Sequence, residues 1–172
     1  MTTVQTHYQW KCFSIDEEQH QLPDGRTIPF TTIKHPGAVV IIPIDRNGDL
    51  ILVHQYRPAI KQWIYEFPAG TLEDKENILA CAQRELAEEA KLQAKNWQSL
   101  GELLPVPGFC DEIQYLFHAQ ELSEANGELD DDEIMDVVTL SITEFEQKIA
   151  ANQIQDNKTL AAYCKAKAMQ LL

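Results

Sequence analysis

Short apolar runs separated by turn residues mark the N-terminal half of the chain. Residues 7–15 and 26–35 are β-prone and are joined by the turn Leu22-Pro23-Asp24-Gly25. The run AVVIIPI (38–44), the polar segment 45–49 and the run LILVHQYR (50–57) predict a β-hairpin, with Asn47-Gly48 supplying the positive φ of its turn. Pro58 ends the second strand, and 63–67 predicts another that leads into Pro68-Ala69-Gly70. A helix is predicted from about Asn77 to Lys91, then strands over 96–104 and 112–120 around the loop Pro105-Val106-Pro107-Gly108-Phe109. The acidic stretch 128–133 predicts a mobile loop before a strand over 134–140. Helices are predicted over 143–151, with Thr143 and Glu146 as a capping box, and over 157–170, with Asp156 as N-cap. A mixed sheet with a helix on each face, an α/β/α sandwich, fits this order.

Composition narrows the function classes. A chain of 172 residues with 44% apolar and 24% charged positions suits one globular core. The net charge of −13, with no basic stripe, argues against nonspecific binding to nucleic acid or to an anionic membrane. It leaves room for a small anionic substrate, because bound Mg²⁺ would reverse the local field. The longest apolar run is too short to span a bilayer, and the N-terminus lacks the build of a signal peptide. Cys12, Cys81, Cys110 and Cys164 show neither C-x-x-C nor zinc spacing, which predicts reduced thiols in a cytoplasmic protein. No paired histidines, no Ser-His-Asp arrangement and no phosphate-cradling G-x-x-x-x-G-K-[ST] occur.

The chemistry concentrates in 70–92, GTLEDKENILACAQRELAEEAKL. Gly70 supplies a turn, and Glu76, Glu85, Glu88 and Glu89 surround Arg84. On a helix Glu85, Glu88 and Glu89 fall at i, i+3 and i+4 and share one face. Like charges stacked that closely repel, so something positive should lie against them. Hard divalent cations held by carboxylate oxygens are the natural candidate. A plain solvated acidic face is the competing explanation, but the apolar flanks Ile78, Cys81, Leu86 and Leu92 do not suit it.

This segment resembles the signature of the Nudix hydrolases, G-x5-E-x7-R-E-U-x-E-E-x-G-U, with U aliphatic. Every fixed position matches except Lys91, where the family has glycine. The resemblance implies a Nudix-type fold and hydrolysis of a nucleoside diphosphate linked to another moiety, with Mg²⁺ or Mn²⁺ clamping the pyrophosphate oxygens. It implies metal ligation by Glu85, Glu89 and Glu88 and by the carbonyl of Ala69, with Arg84 orienting the glutamates. Glu76 is expected to brace the loop–helix junction. Lys91 either takes a left-handed conformation, at a cost of very roughly 1 kcal/mol, or lets the helix run on through Gln93.

Flanking motifs resemble the ADP-ribose pyrophosphatase branch: His54-Gln55-Tyr56-Arg57, Glu66-Phe67-Pro68-Ala69-Gly70, Pro107-Gly108-Phe109-Cys110-Asp111-Glu112 and Asp156-Asn157-Lys158-Thr159. That branch converts ADP-ribose and water to AMP and ribose 5-phosphate. The resemblance implies that Arg57 contacts substrate phosphates, although a structural pairing of Arg57 with Glu66 is an open alternative, and it places Glu66, Gly108 and Phe109 with the substrate. Glu112 is expected to join the metal site. A loop glutamate, Glu133 rather than Glu128, is expected to act as general base. Residues 1–35 are expected to form a β extension that pairs two copies into a homodimer, with 36–172 as the Nudix domain. Hydrolysis of another nucleoside diphosphate sugar or a dinucleotide, or nucleotide sensing without turnover, are the alternative functions.

Overall fold

The continuous apolar run of 38–44 becomes a strand with no solvent on either face. In the computed structural model, which describes residues 4–129 and 133–172, β4 (Ala38–Pro43) lies in a four-stranded sheet with β7 (Ala69–Thr71), β9 (Gln114–Glu124) and β8 (Leu92–Leu103). It runs parallel to β9 and antiparallel to β7. Along β4, Val39 and Ile41 pack with Cys81, Ala82 and Leu86 of α1 (Ile78–Ala90). Val40 and Ile42 pack on the other side with Phe145 of α2 (Ile142–Ala150) and Ala162 and Tyr163 of α3 (Asn157–Ala168). The period-two alternation thus builds one core on each face. Full burial of each aliphatic side chain contributes roughly 1.5–3 kcal/mol.

A second sheet joins β5 (Leu50–Arg57) to β10 (Met135–Leu140) and β6 (Gln62–Glu66), all antiparallel. The fold is the expected α/β/α sandwich, divided between two sheets. A separate antiparallel sheet, β1 (Gln5–Trp10), β2 (Phe13–Gln21) and β3 (Thr27–Lys34), precedes it. Its last strand is tied to the loop before β9: Ile33 N–H donates to Phe109 O at 2.8 Å and Asp111 N–H to Ile33 O at 3.1 Å.

Several expected elements differ. The runs 38–44 and 50–57 do not form a ladder; only Ile44 and Leu50 bridge. Both edges of β4 are taken by β7 and β9, and both edges of β5 by β6 and β10, so neither strand has an edge left for the other. Gly48 does take a positive φ of 87°, but Asp45 shapes the turn by accepting from the N–H groups of Asn47 and Asp49. The run 7–15 breaks at Lys11, whose φ of 41° reverses the chain between β1 and β2. The capping box is Ser141 with Glu144, because β10 ends at Leu140 and the helix begins at once. Thr143 and Glu146 lie within α2. Strand β8 starts directly after Lys91, earlier than expected, and α3 ends at Ala168. Of the predicted acidic loop, 130–132 lie outside the described residues, as do 1–3 of the extension. Among the described residues no helix is long and apolar enough to cross a membrane.

Candidate active site

Asn77 caps α1 as its side chain accepts from the N–H groups of Leu79 and Ala80, at 3.0 and 3.2 Å. This fixes the helix register and turns Glu85 and Glu89 onto the buried face beside Leu86. Strand β7 passes beneath them. A Cβ on Gly70 would collide with the Glu85 carboxylate, so the glycine is required there for close approach. Glu89 Oε2 accepts from Ala69 N–H at 2.9 Å.

Arg84 ties the remaining carboxylates together. Its Nη1 donates to Glu85 Oε1 at 2.7 Å and to Glu88 Oε2 at 2.9 Å. Its Nε and Nη2 grip Glu76 at 2.9 and 3.0 Å, and Glu76 also accepts from Glu73 N–H at 3.1 Å. Glu76 therefore braces the loop before α1, and the Arg84 pairing holds its carboxyl down at about 2. Glu85 and Glu89 shift the opposite way. Burial pushes Glu85 up to about 7, with Glu88 and Glu133 adding to the rise and Arg84 opposing it. Burial pushes Glu89, which is 3% exposed, up to about 8, reinforced by Glu85 and Glu133.

Arg84, Glu85 and Glu88 open onto a cleft of about 890 Å³, whereas Glu89 and Glu66 are buried outside its wall. Its wall includes the expected Arg57, Ala69, Arg84, Glu85, Glu88, Glu112 and Glu133. Arg57 Nε and Nη2 donate to Glu66 Oε1 and Oε2, both at 2.7 Å, the pairing that the sequence offered as the alternative for Arg57. Glu66 is 1% exposed and also accepts from Lys158 Nζ. Glu112 accepts from Gln114 Nε2 at 3.0 Å, and Glu133 from Gln55 Nε2 at 3.4 Å. Gly108 and Phe109 lie outside the cleft wall, with the Phe109 ring exposed and its backbone engaged with β3. Glu128 is exposed away from the wall.

The cleft also contains residues to which sequence reasoning gave no role. Lys158 stood within a quoted motif, and from α3 its Nζ meets the Glu66 carboxylate that Arg57 also grips. Lys11 and Cys12, at the tip of the β1–β2 turn, reach the cleft mouth without any local signal. Lys91 takes φ 57° and ends the helix, so the chain does not continue helically to Gln93. Its Nζ donates to Glu88 O at 2.9 Å and Gly127 O at 2.7 Å.

The donor set suits a hard divalent cation. Glu85 and Glu89 are buried carboxylates whose charge the neighbouring cation compensates only in part, and their oxygens are the right kind of ligand. Among the described residues no three metal-ligating side chains converge into a ready-made cage, since Arg84 draws Glu85 and Glu88 to itself.

A two-core α/β sandwich with an arginine-tied glutamate helix over a glycine strand is the arrangement expected of a Nudix protein. The chain belongs to that family: residues 34–163 match the NUDIX domain. It is 35% identical to the ADP-ribose pyrophosphatase of Bacillus subtilis (strain 168) over 154 residues, 88% of this chain and 83% of that protein. It is 38% identical to the methanol dehydrogenase activator of Bacillus methanolicus over 144 residues, 83% of this chain and 78% of that protein. A crystal structure of an ADP compounds hydrolase shares the fold with a TM-score of 0.82 at 20% identity, covering 97% of this chain and 91% of that one.

Proposed function

We propose that this protein hydrolyses the pyrophosphate bond of a nucleoside diphosphate sugar, foremost ADP-ribose to AMP and ribose 5-phosphate, with Mg²⁺ or Mn²⁺. The observation that carries this reading is the pair Glu85 and Glu89, buried beside the cleft and under-compensated by the chain's own cations. Glu85, Glu88, Glu89, Glu112 and the carbonyl of Ala69 would hold the metal. Divalent ions supply charge neutralisation at the phosphate oxygens and ease deprotonation of water. The likeness to the Bacillus subtilis enzyme supports the choice of ADP-ribose.

The chain's own groups divide the remaining work. Arg84 keeps Glu85 and Glu88 aligned. Arg57, which also lines the cleft, offers a planar guanidinium to phosphate oxygens. Glu133 takes a proton from the attacking water as its oxygen bonds to one phosphorus. The bond from that phosphorus to the bridging oxygen breaks, leaving two phosphomonoesters. Residues 1–35 would pair two copies, since Tyr8, Trp10 and Phe30 leave apolar surface exposed on the extension. A monomer in light scattering would remove that part of the reading. A cytoplasmic setting fits the four free cysteines.

The test is phosphate release, coupled to a phosphatase, over a panel of nucleoside diphosphate sugars, dinucleotides and NADH. Release that requires a divalent ion and is fastest with ADP-ribose is the expected result. Preference for dinucleotides would move the substrate class, and binding without release would return a sensing module.

A further inference from the structure

We propose that Lys158 is a positioning residue for phosphate binding: it draws the charge of Glu66 away from Arg57, so that Arg57 keeps its attraction for the substrate. The inference rests on the reading of Arg57 as a phosphate contact. Glu66 grips the Nε/Nη2 edge of Arg57 with both carboxylate oxygens. A bidentate pair of this kind is nearly neutral as a unit and would present little field to an anion. Lys158 changes that balance. Its Nζ bonds to Glu66 Oε2 and also lies by Asp156, so Arg57, Lys158, Glu66 and Asp156 together are formally neutral, whereas without Lys158 the group around Arg57 would be net negative.

The surrounding groups are built to hold it there. Lys158 Nζ also lies 3.1 Å from Asp156 Oδ1. The other oxygen of Asp156 caps α3 by accepting from Thr159 N–H at 2.9 Å, so part of its charge is answered by the helix terminus. Thr159 Oγ1 accepts from Phe67 N–H at 2.9 Å, locking the start of α3 against the residue next to Glu66. The Lys158 side chain is only 12% exposed, and Lys158 and Arg57 both line the cleft. Arg57 also senses the charge of Glu89, which places it within electrostatic reach of the α1 carboxylates. The cleft therefore has a carboxylate-rich side on α1 and a side at Arg57 where Lys158 offsets carboxylate charge that would otherwise repel an anion.

Calorimetric binding of ADP-ribose to the full-length protein in chelator, together with steady-state kinetics in Mg²⁺, tests this. Lys158→Met should weaken binding and raise KM about tenfold, with kcat within about twofold. Lys158→Arg should restore both. The deciding arm is the double variant Lys158→Met/Glu66→Gln, which removes the neutralising carboxylate as well and should recover most of the lost affinity. A bracing role predicts the reverse, because the double variant loses more contacts. Affinity in the double variant no better than in Lys158→Met, or an unchanged KM in Lys158→Met, overturns the proposal. An Arg57→Gln variant that binds as tightly as wild type would instead break the reading of Arg57 on which it stands.

Discussion

Glu66 and Glu89 are both buried carboxylates, 1% and 3% exposed, each bonded to residues of the cleft wall without lining it, yet they titrate in opposite directions. Burial pushes Glu66 up, but Arg57 and Lys158 more than offset it and hold the carboxyl below its ordinary range. Burial pushes Glu89 to about 8, and a single backbone N–H from Ala69 is its main relief. A buried charge is tolerated only when something compensates it. Around Glu66 the fold supplies that compensation from within. Around Glu89 it does not, and the shortfall lies where a hard cation would complete it. Compensation around Glu66 is thus supplied by folding, and around Glu89 it would have to come from a ligand.

The contrast is broken most severely by removing the uncompensated carboxylate. Glu89→Gln should lower turnover by roughly 10³-fold and weaken Mn²⁺ binding, because several kcal/mol of charge stabilisation depend on it. Above about pH 8 in chelator, where Glu89 would carry its buried charge, the same variant should melt no lower than wild type. Unchanged Mn²⁺ affinity in a titration would sink the metal site. Next in size, Glu133→Gln should reduce kcat by about 10²-fold with little change in KM, in keeping with loss of a general base. Near-normal turnover would take Glu133 out of the mechanism.

Removing the compensated carboxylate should instead register as stability. Glu66→Gln leaves Arg57 and Lys158 without their shared partner. Loss of a partner from a fully buried pair costs roughly 3–5 kcal/mol, and the partial exposure of Arg57 lowers the expectation to about 2 kcal/mol. Calorimetry should show a melting temperature lower by roughly 4–8 °C. The pH dependence has opposite signs at the two sites. The lowered pKa of Glu66 gives stability that is present above the ordinary carboxylate value and is lost as pH falls through the folded value. Glu85 and Glu89, raised to about 7 and 8, bind protons on folding, so metal-free protein should lose stability as pH rises from about 5 to 8. Urea midpoints in chelator across that range should fall, and Mg²⁺ should flatten the slope.

The glutamate face of α1 was legible in the sequence, as was the Arg57–Glu66 pairing offered there as an alternative, but the part of Lys158 was not, for a physical reason. Glu85, Glu88 and Glu89 sit on one helix, where spacing alone sets the shared face. The cluster of Arg57, Glu66 and Lys158 depends on strand pairing and on where α3 docks, which no local pattern encodes. Strand pairing also decided the failed hairpin: Asn47-Gly48 makes a turn whatever follows, but β4 and β5 had better partners elsewhere. Ser141 and Thr143 each precede a glutamate by three residues, so the pattern was degenerate until the end of β10 selected Ser141.

Lys91 offers the smallest and sharpest test, because its charge is spent on neither Glu66 nor Glu89. It holds a left-handed conformation at φ 57° where the family signature has glycine, and its Nζ bonds to the carbonyls of Glu88 and Gly127. Lys91→Gly would relieve about 1 kcal/mol of backbone strain but would lose those exposed bonds and add about 0.5–1 kcal/mol of chain entropy. Lys91→Ala would keep the strain and lose the bonds as well. Denaturation midpoints should therefore place both variants below wild type by up to about 1 kcal/mol, with the glycine variant level with the alanine variant or above it by up to about 0.5 kcal/mol. Turnover should be unchanged in both, since Glu85 and Glu89 are held from Gly70, Arg84 and Ala69 rather than from the helix end. A fall in Mn²⁺ affinity in the glycine variant would mean that the metal site extends past Glu89 to the end of α1.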